Sequence, residues 1–137
     1  MRRPSVRSVI ALGAGAAALL IAVRVAADYS DSRSDLYHRA AEITGGDPHR
    51  GEAMFIQYGC GGCHNVIGVR RATGLVGPPL DGVALRAIIA GRLANRPANL
   101  QKWIRDPQQV SPGTAMPDLD VGEEDARDIS AFLYTRN

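Results

Sequence analysis

The chain has 137 residues, enough for one small domain with an appendage and too few for several independent cores. Its 16 Lys and Arg against 14 Asp and Glu give a net charge of +2, without the basic excess that nucleic-acid binding requires. Only 5% of residues are aromatic, and the two cysteines do not make a disulfide framework.

Arg2, Arg3 and Arg7 precede an uncharged run of 16 residues, Ser8 to Val23, followed by Arg24 and Val25-Ala26-Ala27. Basic residues ahead of an apolar run keep that end cytoplasmic. The run lies between a signal-peptide core and the roughly 20 residues of a full span. Residues 1–27 are therefore expected to be a transmembrane anchor, with Arg24 snorkelling to the outer interface, or a signal peptide cut near Ala27. Without this segment, 12 basic residues face 14 acidic ones and the net charge is −2.

Residues 28–46 read as a linker, polar from Asp28 to Ser34. A short helix can follow, capped by Ser34, with Leu36, Tyr37, Ala40 and Ile43 at helical spacing and Gly45-Gly46 as its stop. The alternative is a solvated spacer. The folded domain is expected over 47–137. Asp47-Pro48 opens a helix with a carboxylate cap and a proline at its first position, and Gly51, Met54, Phe55 and Tyr58 make one face of it.

Cys60-Gly61-Gly62-Cys63-His64 follows. Two thiols and an imidazole at this spacing suit covalent attachment of one haem c, by thioethers from Cys60 and Cys63 with His64 as proximal iron ligand. A thioredoxin-like dithiol would need an adjacent βαβ pattern, and a structural zinc site would need a second ligand pair; His38 and His49 are isolated. A haem would also supply the apolar bulk that the few aromatic residues do not. Thioether attachment implies export, which the N-terminal segment provides.

From Asn65 to Arg105 the chain is basic: Arg70, Arg71, Arg86, Arg92, Arg96, Lys102 and Arg105 stand against Asp81 alone. One or two of Arg86, Arg92 and Arg96 are expected to pair with haem propionates. A short helix is expected from Asn99 to Asp106, ended by Pro107, with Leu100, Trp103 and Ile104 on its apolar side. Met116 lies in the proline-punctuated loop Pro112-Gly113-Thr114-Ala115-Met116-Pro117 and is the candidate sixth ligand. Met54 is expected to pack rather than ligate. Asp118, Asp120, Glu123, Glu124, Asp125 and Asp128 form an acidic patch at the start of a last helix, whose stripe is Ala126, Ile129, Ser130 and Leu133 beside Phe132. With no period-two strand pattern, the fold class is all-α.

On these residues the stretch from about Asp47 to Asn137 resembles the class I cytochrome c family. Gly51 and Phe55 match its N-terminal helix, Ile129 and Phe132 the C-terminal helix that crosses it, and Cys60, Cys63 and His64 its haem motif. The resemblance implies a cytochrome c fold, with crossed N- and C-terminal helices around one covalently attached haem. Gly77-Pro78-Pro79-Leu80 is similar to the family's Gly-Pro-Asn-Leu, which implies that the Pro78 carbonyl accepts the proximal imidazole's second N–H. Pro112-Gly113-Thr114 and Met116 match the family's methionine loop, implying a Thr114 hydroxyl bonded to a propionate. Trp103 aligns with an aromatic beside the methionine sulfur; its indole N–H would donate to sulfur or propionate, or the ring is ordinary core. Much of the mitochondrial members' segment between the proline loop and the distal helix is missing.

The function expected is one-electron transfer rather than enzymatic catalysis, in a respiratory chain, by a monohaem carrier in the bacterial inner membrane with its haem domain in the periplasm. A soluble periplasmic form after cleavage is the alternative. The resemblance implies redox protein partners such as a quinol oxidoreductase and a terminal oxidase, and a monomer or a subunit of a membrane complex. Competing readings are a fixed haem subunit of a larger oxidase or dehydrogenase, and a sensor or peroxidase in which Met116 is labile.

Overall fold

The computed structural model describes residues 6–136, with side chains described at Gly15 and from Ala17 onward. Residues 1–5 of the expected anchor or signal, with Arg2 and Arg3, lie outside these, and the backbone alone is described over most of residues 6–16. In chain order the elements are helices α1 (Val6–Thr44) and α2 (Pro48–Gln57), strands β1 (Ile88–Ile89) and β2 (Leu93–Ala94), and helices α3 (Pro97–Arg105), α4 (Pro107–Val110) and α5 (Glu123–Tyr134). Single 3-10 turns cover Cys60–Gly62 and Val83–Leu85.

The chain forms two compact units that divide between Asp35 and Leu36. In the first, Leu19, Leu20, Ile21, Val23 and Val25 are all exposed. Among the described residues no helix is long and apolar enough to cross a membrane. Helix α1 continues without a break through the polar stretch from Asp28 to Ser34. The serines there stay compatible with a helix, because Ser30 and Ser32 return their hydroxyls to the carbonyls of Ala27 and Asp28, each at 2.8 Å.

The second unit begins with the last turns of α1. Ala40 and Thr44 are buried there, whereas Ile43, expected on that face, is 55% exposed. Thr44 can be buried without an unpaired polar group, since its hydroxyl donates to the Ala40 carbonyl at 2.6 Å and its backbone carbonyl accepts the Gln101 amide at 2.9 Å. Gly45 then ends the helix.

Helices α2 and α5 cross at the centre of this unit. Asp47 caps α2, its carboxylate accepting the N–H groups of His49 at 2.8 Å and Arg50 at 3.3 Å. Gly51 sits at the crossing, where a Cβ would overlap the Asp128 backbone carbonyl and lie 2.9 Å from the Phe132 Cβ. One turn on, Phe55 meets Phe132 with ring centroids 5.6 Å apart and planes tilted by 54°. Asp128 is buried, but its carboxylate accepts the Asp47 N–H at 2.7 Å and the Arg50 guanidinium. Arg50 also reaches Glu124 at 2.9 Å and Asp125 at 2.6 Å, and Arg127 pairs with Glu123 at 2.7 Å. Much of the acidic patch expected at the start of α5 is therefore engaged within the domain.

The rest of the core is supplied by loops and short elements: Val66, Val69, Ala72, Val83, Ile89 and Val121 join Leu100 and Ile104 of α3 around Ile129 and Phe132. Helix α3 begins at Pro97, two residues before the start expected at Asn99. The antiparallel pair β1–β2, in register Ile88 to Ala94 and Ile89 to Leu93, is too short to leave a period-two signal in the sequence. The fold is otherwise helical, with crossed terminal helices as expected.

Candidate functional site

Gly59 closes α2, and Cys60 opens a turn whose own carbonyl accepts the N–H of Cys63 at 3.2 Å and of His64 at 2.9 Å. That turn holds both thiols and the imidazole on one short length of backbone. Both cysteines are free and half-buried. Burial pushes the Cys60 thiol up to about 11, the opposite of the depressed value a reactive dithiol needs. Among the described residues, no group of three or more His, Cys, Asp or Glu side chains converges around the motif.

The segment after the motif folds back across it. Gly74 N–H donates to the Gly61 carbonyl at 3.0 Å, Gly77 N–H to the Cys63 carbonyl at 2.8 Å, and Leu80 N–H to the Asn65 carbonyl at 2.9 Å. Gly77 is required by this approach, since a Cβ there would run into the His64 ring. The path places the Pro78 carbonyl 2.8 Å from His64 Nδ1. A carbonyl only accepts, so Nδ1 carries the proton and Nε2 keeps its lone pair for a metal.

Met116, the candidate sixth ligand, is half-buried in the loop after α4. Its N–H donates to Thr114 Oγ1 at 3.4 Å. Trp103, on α3, is half-buried against the core, as is Met54 on α2. The sequence-predicted residues thus fall into two hydrogen-bonded groups, the motif with Pro78 and Thr114 with Met116, while Trp103 packs beside the core. Of the arginines, Arg92 and Arg96 are exposed, and Arg86 is half-buried with its guanidinium on the Pro79 carbonyl and, at 3.4 Å, on that of Asp81.

Two supporting residues were not singled out from the sequence. Asn95 donates to the carbonyls of Val83 at 2.6 Å and Arg86 at 2.8 Å, and accepts the Tyr134 hydroxyl at 3.2 Å. Gln108 donates to the carbonyls of Thr114 at 2.9 Å and Met116 at 2.8 Å. Neither lies in a recognisable motif, and no sequence signal marks either one.

The residues present fit a haem. Two free thiols precede an imidazole whose Nε2 is available, and large apolar side chains of the loops that follow, Ile67, Leu75, Val76 and Leu85, are 72–88% exposed. A large apolar macrocycle is the kind of group that such side chains contact.

The family model described as Cytochrome c matches residues 48–137. The chain belongs to the cytochrome c family. Membership implies haem c as the cofactor, consistent with Cys60 and Cys63, and electron transfer as the broad activity. Among curated proteins, cytochrome c oxidase subunit 2 of Alkalihalophilus pseudofirmus is 40% identical over 86 residues, covering 62% of this chain and 24% of that protein. Cytochrome c oxidase subunit 2 of Bacillus sp. strain PS3 is 43% identical over 68 residues, covering 48% of this chain and 19% of that protein. The likeness therefore spans a quarter or less of the relatives' length. No solved structure matches this cytochrome significantly.

Proposed function

We propose that this chain is a monohaem one-electron carrier of a respiratory chain and not an enzyme, with His64 and Met116 as the two axial ligands. The observation that carries the reading is the 2.8 Å contact between His64 Nδ1 and the Pro78 carbonyl, which supports Nε2 as the ligand atom within a family that uses this motif for haem. Cys60 and Cys63 hold the cofactor by thioethers, and Thr114 and one of the basic side chains meet its propionates. Trp103 closes the distal side from α3. Bound haem supplies a one-electron iron couple, and with both axial positions filled it offers no open site for a substrate. The packed α2–α5 crossing and the pinned proximal segment keep the ligands still.

Redox protein partners exchange electrons with the haem edge through weak, salt-sensitive encounters with the basic segment. A quinol oxidoreductase and a terminal oxidase are the partner classes expected. A second reading is favoured by the relatives, both subunits of cytochrome c oxidase: the domain serves as a fixed haem subunit of a larger oxidase. Residues 1–27 anchor the protein in the bacterial inner membrane with residues 47–137 in the periplasm, and residues 28–46 link the two. The exposed Leu19, Leu20, Ile21, Val23 and Val25 support that reading.

The test is an optical spectrum of membranes from cells expressing the full chain with haem-attachment machinery. A far-red methionine-to-iron band in the oxidised form that disappears in Met116→Ala is expected. A high-spin spectrum with ready carbon monoxide binding overturns the carrier reading in favour of a sensor or enzyme. Haem that stays in the pellet at high salt supports the anchor, and soluble haem protein beginning at Asp28 overturns it. Copurification with an oxidase after gentle solubilisation selects the fixed-subunit form.

A further inference from the structure

The Gln108 carboxamide spans the loop that carries Met116. Its Nε2 donates to the carbonyls of Thr114 at 2.9 Å and Met116 at 2.8 Å, and its Oε1 accepts the Gly113 N–H at 3.1 Å. Two carbonyls and one N–H leave a single consistent orientation for the amide, because the carbonyls only accept and the N–H only donates. The loop adds one bond of its own, from the Thr114 N–H to the Ser111 carbonyl at 3.0 Å, besides the Met116 N–H on Thr114 Oγ1. Gln108 follows Pro107, one of the most deeply buried residues of the domain, so the amide is presented from a fixed base.

We propose that Gln108 is a positioning residue for the sixth ligand: it fixes the backbone of Gly113–Met116 and so sets how strongly Met116 resists displacement by an external ligand. The inference rests on Met116 as ligand. Gln108 is exposed, so water competes for its bonds and each has a modest net worth. Their effect is local, because two of the three end on Met116 itself or on the residue whose hydroxyl holds the Met116 N–H.

The experiment uses the full chain loaded with haem, as the parent protein and as Gln108→Ala, Gln108→Glu and Gln109→Ala. Gln109 is exposed on the same short helix. The oxidised proteins are titrated with imidazole, whose nitrogen takes the place of the Met116 sulfur, while the far-red band is followed. Hydrogen exchange of the Gly113 amide is measured in parallel. Gln108→Ala is expected to bind imidazole about tenfold tighter, the consequence of losing one to two net hydrogen bonds from the closed loop. Its Gly113 amide exchanges faster, and its unfolding equilibrium shifts by no more than the same tenfold factor. Gln108→Glu keeps an acceptor for Gly113 but loses both donors, and is expected to bind imidazole at least as tightly as Gln108→Ala. Gln109→Ala is expected to follow the parent.

Unchanged imidazole affinity in Gln108→Ala, with the far-red band present in the parent, overturns the proposal alone. An equal change in Gln109→Ala, or a loss of global stability far larger than the affinity change, also overturns it. Absence of the band from the parent overturns the Met116 reading and this proposal together.

Discussion

The two sides of the site are held by different kinds of bond. The proximal segment, Gly74 to Leu80, is fastened to the motif by three backbone hydrogen bonds and by the contact between His64 and Pro78. The loop from Gly113 to Met116 has one backbone bond, from the Thr114 N–H to the Ser111 carbonyl at 3.0 Å, and otherwise depends on one exposed glutamine and one threonine hydroxyl. Backbone ties between short segments survive most substitutions, whereas a tie made by a single side chain is removed by one. The proposed proximal ligand is thus placed by the path of the chain, and the proposed distal one by a side chain that can be tuned.

The contrast can be broken most severely at Gly77. Any side chain there meets the His64 ring, so Gly77→Val is expected to cost about 3 kcal/mol and to disturb the proximal ligand, read by denaturant unfolding and by the spectrum of the haem-loaded protein. An unfolding midpoint equal to the parent's would show that the segment can leave the motif cheaply, and the proximal side would not be rigid.

Asn95 sharpens the comparison, because it too is a side-chain tie but a half-buried one. Asn95→Ala abandons the carbonyls of Val83 and Arg86, and about 2 kcal/mol of global stability is expected to go with them. The same truncation at exposed Gln108 is expected to cost less global stability than Asn95→Ala while loosening Met116. If both variants lose equal stability, burial does not separate the two kinds of tie.

The smallest effect is expected at Tyr58, whose hydroxyl donates to Asp125 at 2.7 Å and joins the end of α2 to α5 beside the motif. That bond, followed by burial, raises the Tyr58 hydroxyl above its ordinary value of 10.0. Because the folded value is the higher one, the contribution is whole below the unfolded value and is lost as pH rises through the folded one. Tyr58→Phe should cost about 1 kcal/mol at neutral pH, with the gap from the parent closing at alkaline pH. A gap that stays constant from neutral to strongly alkaline pH would remove the hydrogen bond from the explanation.

Legibility followed distance along the chain. The five residues of the haem motif are contiguous, so their chemistry could be read without a fold. The caps and stripes of α2 and α5 were readable for the same reason, since Asp47-Pro48 and the Glu123–Asp125 run are local helix signals. The exchange of Ile43 for Thr44 was not, because a periodic stripe says which residues share a face and cannot say which of two neighbouring positions the rest of the domain will cover. The uninterrupted α1 was missed likewise, because polar residues from Asp28 to Ser34 suit a tether and a helix equally well.

By itself the sequence determined the all-α class, the family, the haem-attachment chemistry and the two terminal helices, all of which depend on neighbours within a turn or two. Only the tertiary structure decided that Arg50 gathers Glu124, Asp125 and Asp128, that Asn95 fastens the loop after the proximal segment, and that Gln108 spans the loop of Met116. A side-chain amide or guanidinium can bond to any carbonyl or carboxylate within reach, and which one comes within reach is settled when the helices cross and the loops close around them.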